Sequence, residues 1–147
     1  MVLDDLAHAL KNLSQSSFIP LILVKEHVLA YVFFWNEDRK ASFFIYDILD
    51  VLHNDEFKQS VEALLFIPDN WNQNDHNGLL TEMDNNRKNK GLSGYKSGQY
   101  QYVLFVSGSY THEHELATQG VDNIITKQCP RLCLEVVKIV RDLGYPV

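Results

Sequence analysis

The sequence predicts a single α/β domain in which helices cover both faces of a central mixed sheet. Residues 28–35 are apolar on both alternating faces, which is typical of a central strand that is buried on two sides. A short polar turn at residues 36–40 connects this stretch to the apolar residues 41–48, which predicts an antiparallel meander. Towards the end of the chain, apolar runs of strand length alternate with helical patterns, as in a parallel crossover unit.

The predicted elements follow the order α-β-β-β-α-β-α-β-α. In chain order they are a helix at residues 3–13, strands at 18–24, 28–35 and 41–48, a helix that Pro68 closes, a strand at 101–107, a helix at 112–119, a strand at 121–126 and a final helix. Asn54 is a suitable N-cap for the second helix. Pro130 and Gly144 delimit the last helix, because proline suits the first helical position and glycine the residue after the end.

The polar residues 69–98 form an insertion within this single domain, which spans residues 1–147. They include seven asparagines and four glycines, and structureless loops of this length are uncommon inside compact domains. Two alternatives follow: a short helix around residues 79–85, or a mobile functional insertion.

Negative charge is concentrated in the first half of the chain. Residues 1–70 carry 11 acids and 5 Lys/Arg, whereas residues 71–147 carry 8 of each, which together give the net charge of −6. An acidic surface repels nucleic acid and anionic membranes, so we expect neither as a partner. The expected partner is a basic protein, whose charge is opposite. The alternative is that the acidity only keeps the protein in solution.

We expect a cytoplasmic protein. The longest apolar stretches fall short of the roughly 20 residues that span a bilayer, and Asp4 and Asp5 stand where a secretory signal would be basic. Cys129 and Cys133 are too few for a disulfide framework, which agrees with a reducing compartment.

The predicted element order resembles the αβββαβ core of the PD-(D/E)xK nucleases. That family carries an acid-x-lysine signature on its third strand, but here Asp47 is followed at the corresponding position by Leu49. Residues 120–126 are also similar to the last barrel strand of glycerophosphodiester phosphodiesterases. These resemblances imply, as the alternative function, a divergent metal-dependent nuclease-like or phosphodiesterase-like enzyme. Its catalysis would depend on acids such as Asp47, Asp50 and Glu62.

Four side chains that are able to bind zinc lie within 22 residues: His112, His114, Cys129 and Cys133. The spacing of the two cysteines fits a zinc site loosely. The two histidines do not fit, because side chains two residues apart on a helix diverge by about 200°. The alternative is a core cysteine and an exposed acidic helical turn. We therefore assign no metal, cofactor or catalytic residue.

The sequence favours a non-enzymatic, acidic protein-binding module over an enzyme. One concrete form is a bacterial immunity or inhibitor protein that neutralises a basic toxin or nuclease. Tyrosine and tryptophan dominate protein interfaces, so aromatic residues of the polar insertion are candidates for contact. The predicted partner-binding residues are Glu37, Asp38, Asp50, Asp55, Glu56, Trp71 and Tyr95.

Overall fold

Residues 31–147 are described in a computed structural model of the protein, and they are helical. The six α-helices are α1 Glu37–Ser42, α2 Asp55–Glu62, α3 Leu79–Asn89, α4 Gln99–His112, α5 Val121–Gln128 and α6 Leu132–Asp142. A π-helical turn, Phe43–Asp47, continues α1, and 3₁₀ turns occur at Tyr31–Phe34, Trp71–Gln73 and Glu113–Glu115. No strand occurs among these residues, so the predicted α/β fold with a central mixed sheet is wrong.

Each predicted strand within the described residues lies in a helix or helical turn. The stretch 41–48 belongs to α1 and its π-helical turn, 101–107 lies inside α4, and 121–126 lies inside α5. Of the stretch 28–35, residues 31–34 form a 3₁₀ turn. The helix predicted at 3–13 and the strand at 18–24 lie outside the described residues.

The error has a physical origin in α4. Its buried side includes the polar residues Gln99, Ser107 and Ser109, whereas the apolar Leu104 lies on the partly exposed side. Apolar residues therefore do not mark one face with a 3.6-residue period, and the short apolar run at 102–106 cannot be told from a buried strand. Without strands at these positions, the likeness to the PD-(D/E)xK core is wrong, and so is the comparison of residues 120–126 with a barrel strand.

Helix α4 is the centre of the described core. It packs against α1, α2, α3, α5 and the π-helical turn. The Ser107 hydroxyl donates to the Phe44 carbonyl oxygen at 2.7 Å, which joins α4 to that turn within the interior. No helix within residues 31–147 is long and apolar enough to cross a membrane.

Capping residues predicted from the sequence are present at two helices. The Asn54 side chain accepts a hydrogen bond from the Phe57 N–H at 3.0 Å, which begins α2 as predicted. Helix α6 ends before Gly144, whose φ of 90° lets the Tyr145 N–H reach back to the Val140 carbonyl oxygen at 3.2 Å.

The insertion at residues 69–98 contains a helix, α3, so the first of the two alternatives is confirmed. Its two ends are joined by hydrogen bonds: the Trp71 Nε1–H donates to the Gly98 carbonyl oxygen at 2.9 Å, and the Gly98 N–H donates to the Asp69 carbonyl oxygen at 2.8 Å. The two ends of the segment therefore lie next to each other, directly before the start of α4.

Candidate functional site

The predicted partner-binding acids fall into two groups. Glu37 and Asp38 lie in the first turn of α1, whereas Asp55 and Glu56 lie in the first turn of α2. Glu37 and Asp47, at the two ends of α1 and its π-helical turn, are ten residues or roughly 15 Å apart along the axis, and Asp50 follows in the next turn of the chain. Acids in a first turn also stabilise the helix dipole, which accounts for part of this pattern without any partner.

The first group lies near other charged side chains of the protein. Burial, together with the nearby Glu37 carboxylate, raises the pKa of Glu113. Lys40 Nζ lies 2.8 Å from Asp122 Oδ1, and the Tyr110 hydroxyl donates to the same oxygen at 2.7 Å. Lys40 therefore pairs with Asp122, while Glu37 and Asp38 are exposed and form no ion pair with another described residue.

Exposed apolar side chains precede the second group in the chain. Tyr46 is 66% exposed and Leu49 is 56% exposed, and both lie close in sequence to Asp50. Tight turns connect them to α2, with the Val51 N–H donating to Ile48 O at 3.1 Å and the Asn54 N–H donating to Val51 O at 2.9 Å. We call this region the acidic–apolar surface, and its residues are Tyr46, Leu49, Asp50, Asp55 and Glu56.

The three acids of the acidic–apolar surface are exposed and form no ion pair with another described residue. The strand predicted at 41–48 included Tyr46 and ended before Leu49, and neither residue was among the predicted partner-binding residues. The positions are visible in the sequence only once the segment is known to be helical, because Tyr46 and Leu49 are then one turn apart.

The two predicted aromatic contacts, Trp71 and Tyr95, are in the core. Trp71 is 3% exposed, with its ring 5.2 Å from Tyr102 and 5.1 Å from Phe105. Tyr95 is 9% exposed and lies under the Arg87 guanidinium, 4.6 Å from its ring centre. Their polar neighbours in the sequence suggested exposure, but both rings face α4. Contact between either ring and a partner would require residues 69–98 to open.

A cleft of about 460 Å³ lies between residues 67–76, the first half of α4 and the end of α5. Three aromatic side chains line it: Trp71, His76 and Tyr102. Ile67, Pro68, Cys129 and four carboxamides complete the lining within residues 31–147, and among these described residues none is Asp, Glu, Lys or Arg. The cleft is within the size range of pockets that hold small organic molecules.

His76 is held as a neutral imidazole with a defined tautomer. The side chain is 4% exposed, and burial lowers its pKa. His76 Nε2 is 3.1 Å from the Trp71 carbonyl oxygen. Because a carbonyl oxygen only accepts, Nε2 carries the proton and Nδ1 keeps its lone pair.

The backbone around His76 is unusual. His76 and Asn77 have φ values of 52° and 59°, a region that residues other than glycine seldom adopt. Gly78 follows with a φ of 89°. The Asn74 side chain accepts the His76 N–H at 2.7 Å and holds the turn in place. Backbone in such rarely adopted conformations is more frequent at binding sites, where it fixes the position of a side chain before a ligand binds. The Asn-Gly pair was the sequence signal for this turn.

Tyr102 and Cys129 are neutral polar residues in the lining of the cleft, and both are almost fully buried. Burial is the main cause that raises the pKa of Tyr102, and it raises the pKa of Cys129 to about 11. The Tyr102 hydroxyl is buried and has no hydrogen-bond partner among the described residues. A protonated thiol is a poor nucleophile, so these groups suit binding better than covalent chemistry.

The candidate metal ligands are not assembled. Within residues 31–147, no group of three or more His, Cys, Asp or Glu side chains is placed to hold a metal ion. His112 Nδ1 is 2.8 Å from Glu115 Oε2, whereas His114 is exposed. Burial raises the pKa of Cys133 to about 12. The two histidines lie beside Glu115 and the two cysteines line a second pocket, so within the described residues the four side chains do not form one site.

The acids of the enzymatic alternative have other contacts. Asp47 Oδ2 accepts a hydrogen bond from the Arg39 guanidinium at 3.0 Å. Glu62 Oε1 accepts the Tyr100 N–H at 2.9 Å, which caps the start of α4 from a different helix. Asp50 is exposed on the acidic–apolar surface. No observation favours a shared catalytic role for the three.

In the comparisons with known proteins, no family model, curated protein or solved structure matches this chain.

Proposed function

We propose that this protein is a non-catalytic binding module that engages a basic protein through the acidic–apolar surface. The observation that carries the proposal is that two large exposed side chains, Tyr46 and Leu49, lie within ten residues of the chain of three exposed acids that form no ion pair with another described residue. Apolar contact provides affinity, while unpaired charges speed the encounter with a partner of opposite sign.

The mixed character of the surface fits a partner with both a basic patch and an apolar pocket. Tyrosine is enriched at the centres of protein interfaces. Charged residues at the rim of an interface change the association rate more than the final affinity. A basic toxin or nuclease that the module neutralises is the concrete form of this proposal. Its basic substrate-binding face would meet the acids, and the bound module would block access to it.

The test compares two charge reversals. Asp55→Lys/Glu56→Lys alters the acidic–apolar surface, whereas Glu37→Lys/Asp38→Lys is a matched control. Both pairs occupy the first turn of a helix capped by asparagine, so both cost similar dipole energy. Tyr46→Ala probes the apolar contact. Each variant is used as bait for basic proteins from the source cell, and recovered partners are studied by surface plasmon resonance.

We expect Asp55→Lys/Glu56→Lys to slow association severalfold at low salt, with the difference shrinking as added salt shortens the Debye length to below about 8 Å. Tyr46→Ala should instead speed dissociation, with a loss of about 1–4 kcal/mol in binding free energy if the ring is a hot spot. Equal losses with the control pair, or association that ignores salt, would show that the charges act only as a solvated surface.

A further inference from the structure

The stretch from the end of α3 through α4 is basic, although the chain as a whole is acidic. Residues 85–112 contain four Lys/Arg and no Asp or Glu, whereas the net charge of the chain is −6. Lys88, Lys90 and Lys96 are exposed, and Arg87 is partly exposed. None of the four forms an ion pair with another described residue. Their positive charge is therefore available to an anion from outside the fold.

A pocket of about 230 Å³ opens beside these cations, between the end of α3 and α4. Arg87, Lys90 and His112 line it, and among the described residues no Asp or Glu does. Most of the lining residues are partly or fully exposed, so a ligand can reach them. The volume is below the roughly 300–1,000 Å³ of pockets for drug-sized molecules, so this pocket fits only a small one.

The fold holds Arg87 in place at the pocket. Its Nε–H donates to the Ser93 carbonyl oxygen at 2.7 Å, and its guanidinium carbon lies 4.6 Å from the centre of the Tyr95 ring. The Asp84 carboxylate, one turn earlier on α3, accepts the Tyr95 N–H at 2.8 Å and fixes that ring's backbone. The planar guanidinium matches the geometry of a carboxylate, and a group that is already held loses less entropy when it binds.

The pocket also has an apolar side that is open to solvent. Leu92 is 52% exposed and Leu104 is partly exposed, and both line the pocket. Apolar surface that a ligand covers adds to its affinity, whereas an anion without an apolar part gains nothing from these side chains. The lining therefore favours an anionic group on a small apolar body.

One carboxylate beside the pocket opposes the binding of an anion. Glu115 Oε2 lies 2.8 Å from His112 Nδ1, and this hydrogen bond is the largest cause that lowers the pKa of Glu115. The charge of Lys90 lowers that pKa further, so Glu115 is ionised at neutral pH and acts on two lining residues of the pocket. Removing this negative charge should strengthen the binding of an anion, which is a gain that unfolding cannot imitate.

We propose that this pocket binds a small carboxylate with an apolar body, which pairs its charge with Arg87 and Lys90 and covers Leu92. The pocket has the opposite charge to the acidic–apolar surface and shares no residue with it, so the inference goes beyond the proposed protein-binding function. Benzoate is the probe. Benzamide keeps the ring without the charge, and acetate keeps the carboxylate without the ring, so these two are the matched negative probes.

The experiment titrates the full-length chain with each probe at neutral pH and follows amide resonances by NMR. We expect benzoate to shift the resonances of residues 86–95 and of His112 at millimolar concentration. Benzamide and acetate should each bind severalfold more weakly than benzoate. Added salt should weaken the binding of benzoate, because the cations are close to solvent.

Lys90→Gln and Lys88→Gln form a matched pair, since both lysines are exposed at the end of α3 and, of the two, Lys90 lines the pocket. Lys90→Gln should weaken benzoate binding about two- to fivefold, as expected for one partly exposed ion pair, and Lys88→Gln should leave it nearly unchanged. Glu115→Gln should tighten it severalfold. Leu92→Ser should remove the preference for benzoate over acetate.

All four variants change exposed side chains, so their melting temperatures should match that of the wild type. The proposal is overturned if benzoate leaves the pocket resonances unshifted at millimolar concentration, or if benzamide or acetate binds as well as benzoate. Equal losses in Lys90→Gln and Lys88→Gln, or a Glu115→Gln variant that binds benzoate no better than the wild type, would also overturn it.

Discussion

The Asn-rich segment, residues 69–98, and the acidic segment, residues 36–56, place their aromatic side chains in opposite ways. Trp71 lies in a polar stretch and is 3% exposed, whereas Tyr46 lies in an apolar stretch and is 66% exposed. The difference comes from α4, which packs beneath the Trp71 ring but leaves the outer side of the π-helical turn uncovered. Exposure is thus decided by what packs against a side chain, not by its neighbours in the sequence.

Acidic side chains differ between the two segments in the same manner. In the Asn-rich segment, Asp84 accepts the Tyr95 N–H at 2.8 Å, and Glu82 accepts the Ala117 N–H at 2.9 Å. In the acidic segment, Asp50, Asp55 and Glu56 remain exposed. Carboxylates of the first kind hold loops together, and those of the second kind are available to a partner.

The largest effect is expected from removing the buried ring of the Asn-rich segment. Trp71→Ala should lower the free energy of unfolding by about 3–5 kcal/mol, because it leaves a cavity beside Phe105 and deletes the bond to Gly98. Tyr46→Ala should change it by less than about 0.5 kcal/mol. Urea unfolding followed by circular dichroism measures both. Equal losses of unfolding free energy in the two variants would contradict the difference in burial between Trp71 and Tyr46.

A smaller effect is expected where the Asn-rich segment touches α4 at Gly108. A Cβ at this position would lie 2.7 Å from the Tyr95 hydroxyl oxygen and 3.0 Å from the Met83 methyl group. Gly108→Ala should therefore destabilise the fold by about 1–3 kcal/mol despite the higher helix propensity of alanine. Adding Tyr95→Phe should recover part of this loss in a double-mutant cycle. Strict additivity of the two changes would show that the contact is not the cause.

The smallest effects concern two glutamates whose pKa values shift in opposite directions. Hydrogen bonds from Thr118, with one from Ala117, lower the pKa of Glu82 in the folded state. Its contribution to stability is present above the unfolded pKa and is lost as the pH falls through the folded pKa. Glu82→Gln should therefore cost about 1 kcal/mol near neutral pH, with the gap closing below about pH 4.

The pKa shift of Glu113 has the opposite sign to that of Glu82, because burial, and after it the Glu37 carboxylate, raises the pKa of Glu113. Its carboxylate form is disfavoured in the fold, so its contribution is most favourable below the unfolded pKa and is lost as the pH rises through the folded pKa. Glu113→Gln should raise stability by about 0.5 kcal/mol near neutral pH and leave it unchanged at about pH 4. Melting temperatures across this pH range check both variants. Shifts of the same sign would contradict the assignment.

Local capping chemistry was readable from the sequence because it depends on a few adjacent residues. Asn54 begins α2, and the glycine at position 144 follows the end of α6. The helix inside the Asn-rich segment was one of the stated alternatives. The concentration of acids before residue 70 was equally visible, although not their division between the starts of two helices.

The sequence by itself determined these helix ends and the charge distribution, whereas the tertiary structure decided the fold class and the cleft. Polar residues on the buried side of α4 and the partly exposed Leu104 remove the periodicity that separates a helix from a strand, so residues 101–107 had no local mark of their helical state. The cleft brings His76, Tyr102 and Cys129 together across more than fifty residues of chain. Such a juxtaposition depends on how α4 and α5 pack, because contacts between distant residues leave no pattern in either stretch of sequence.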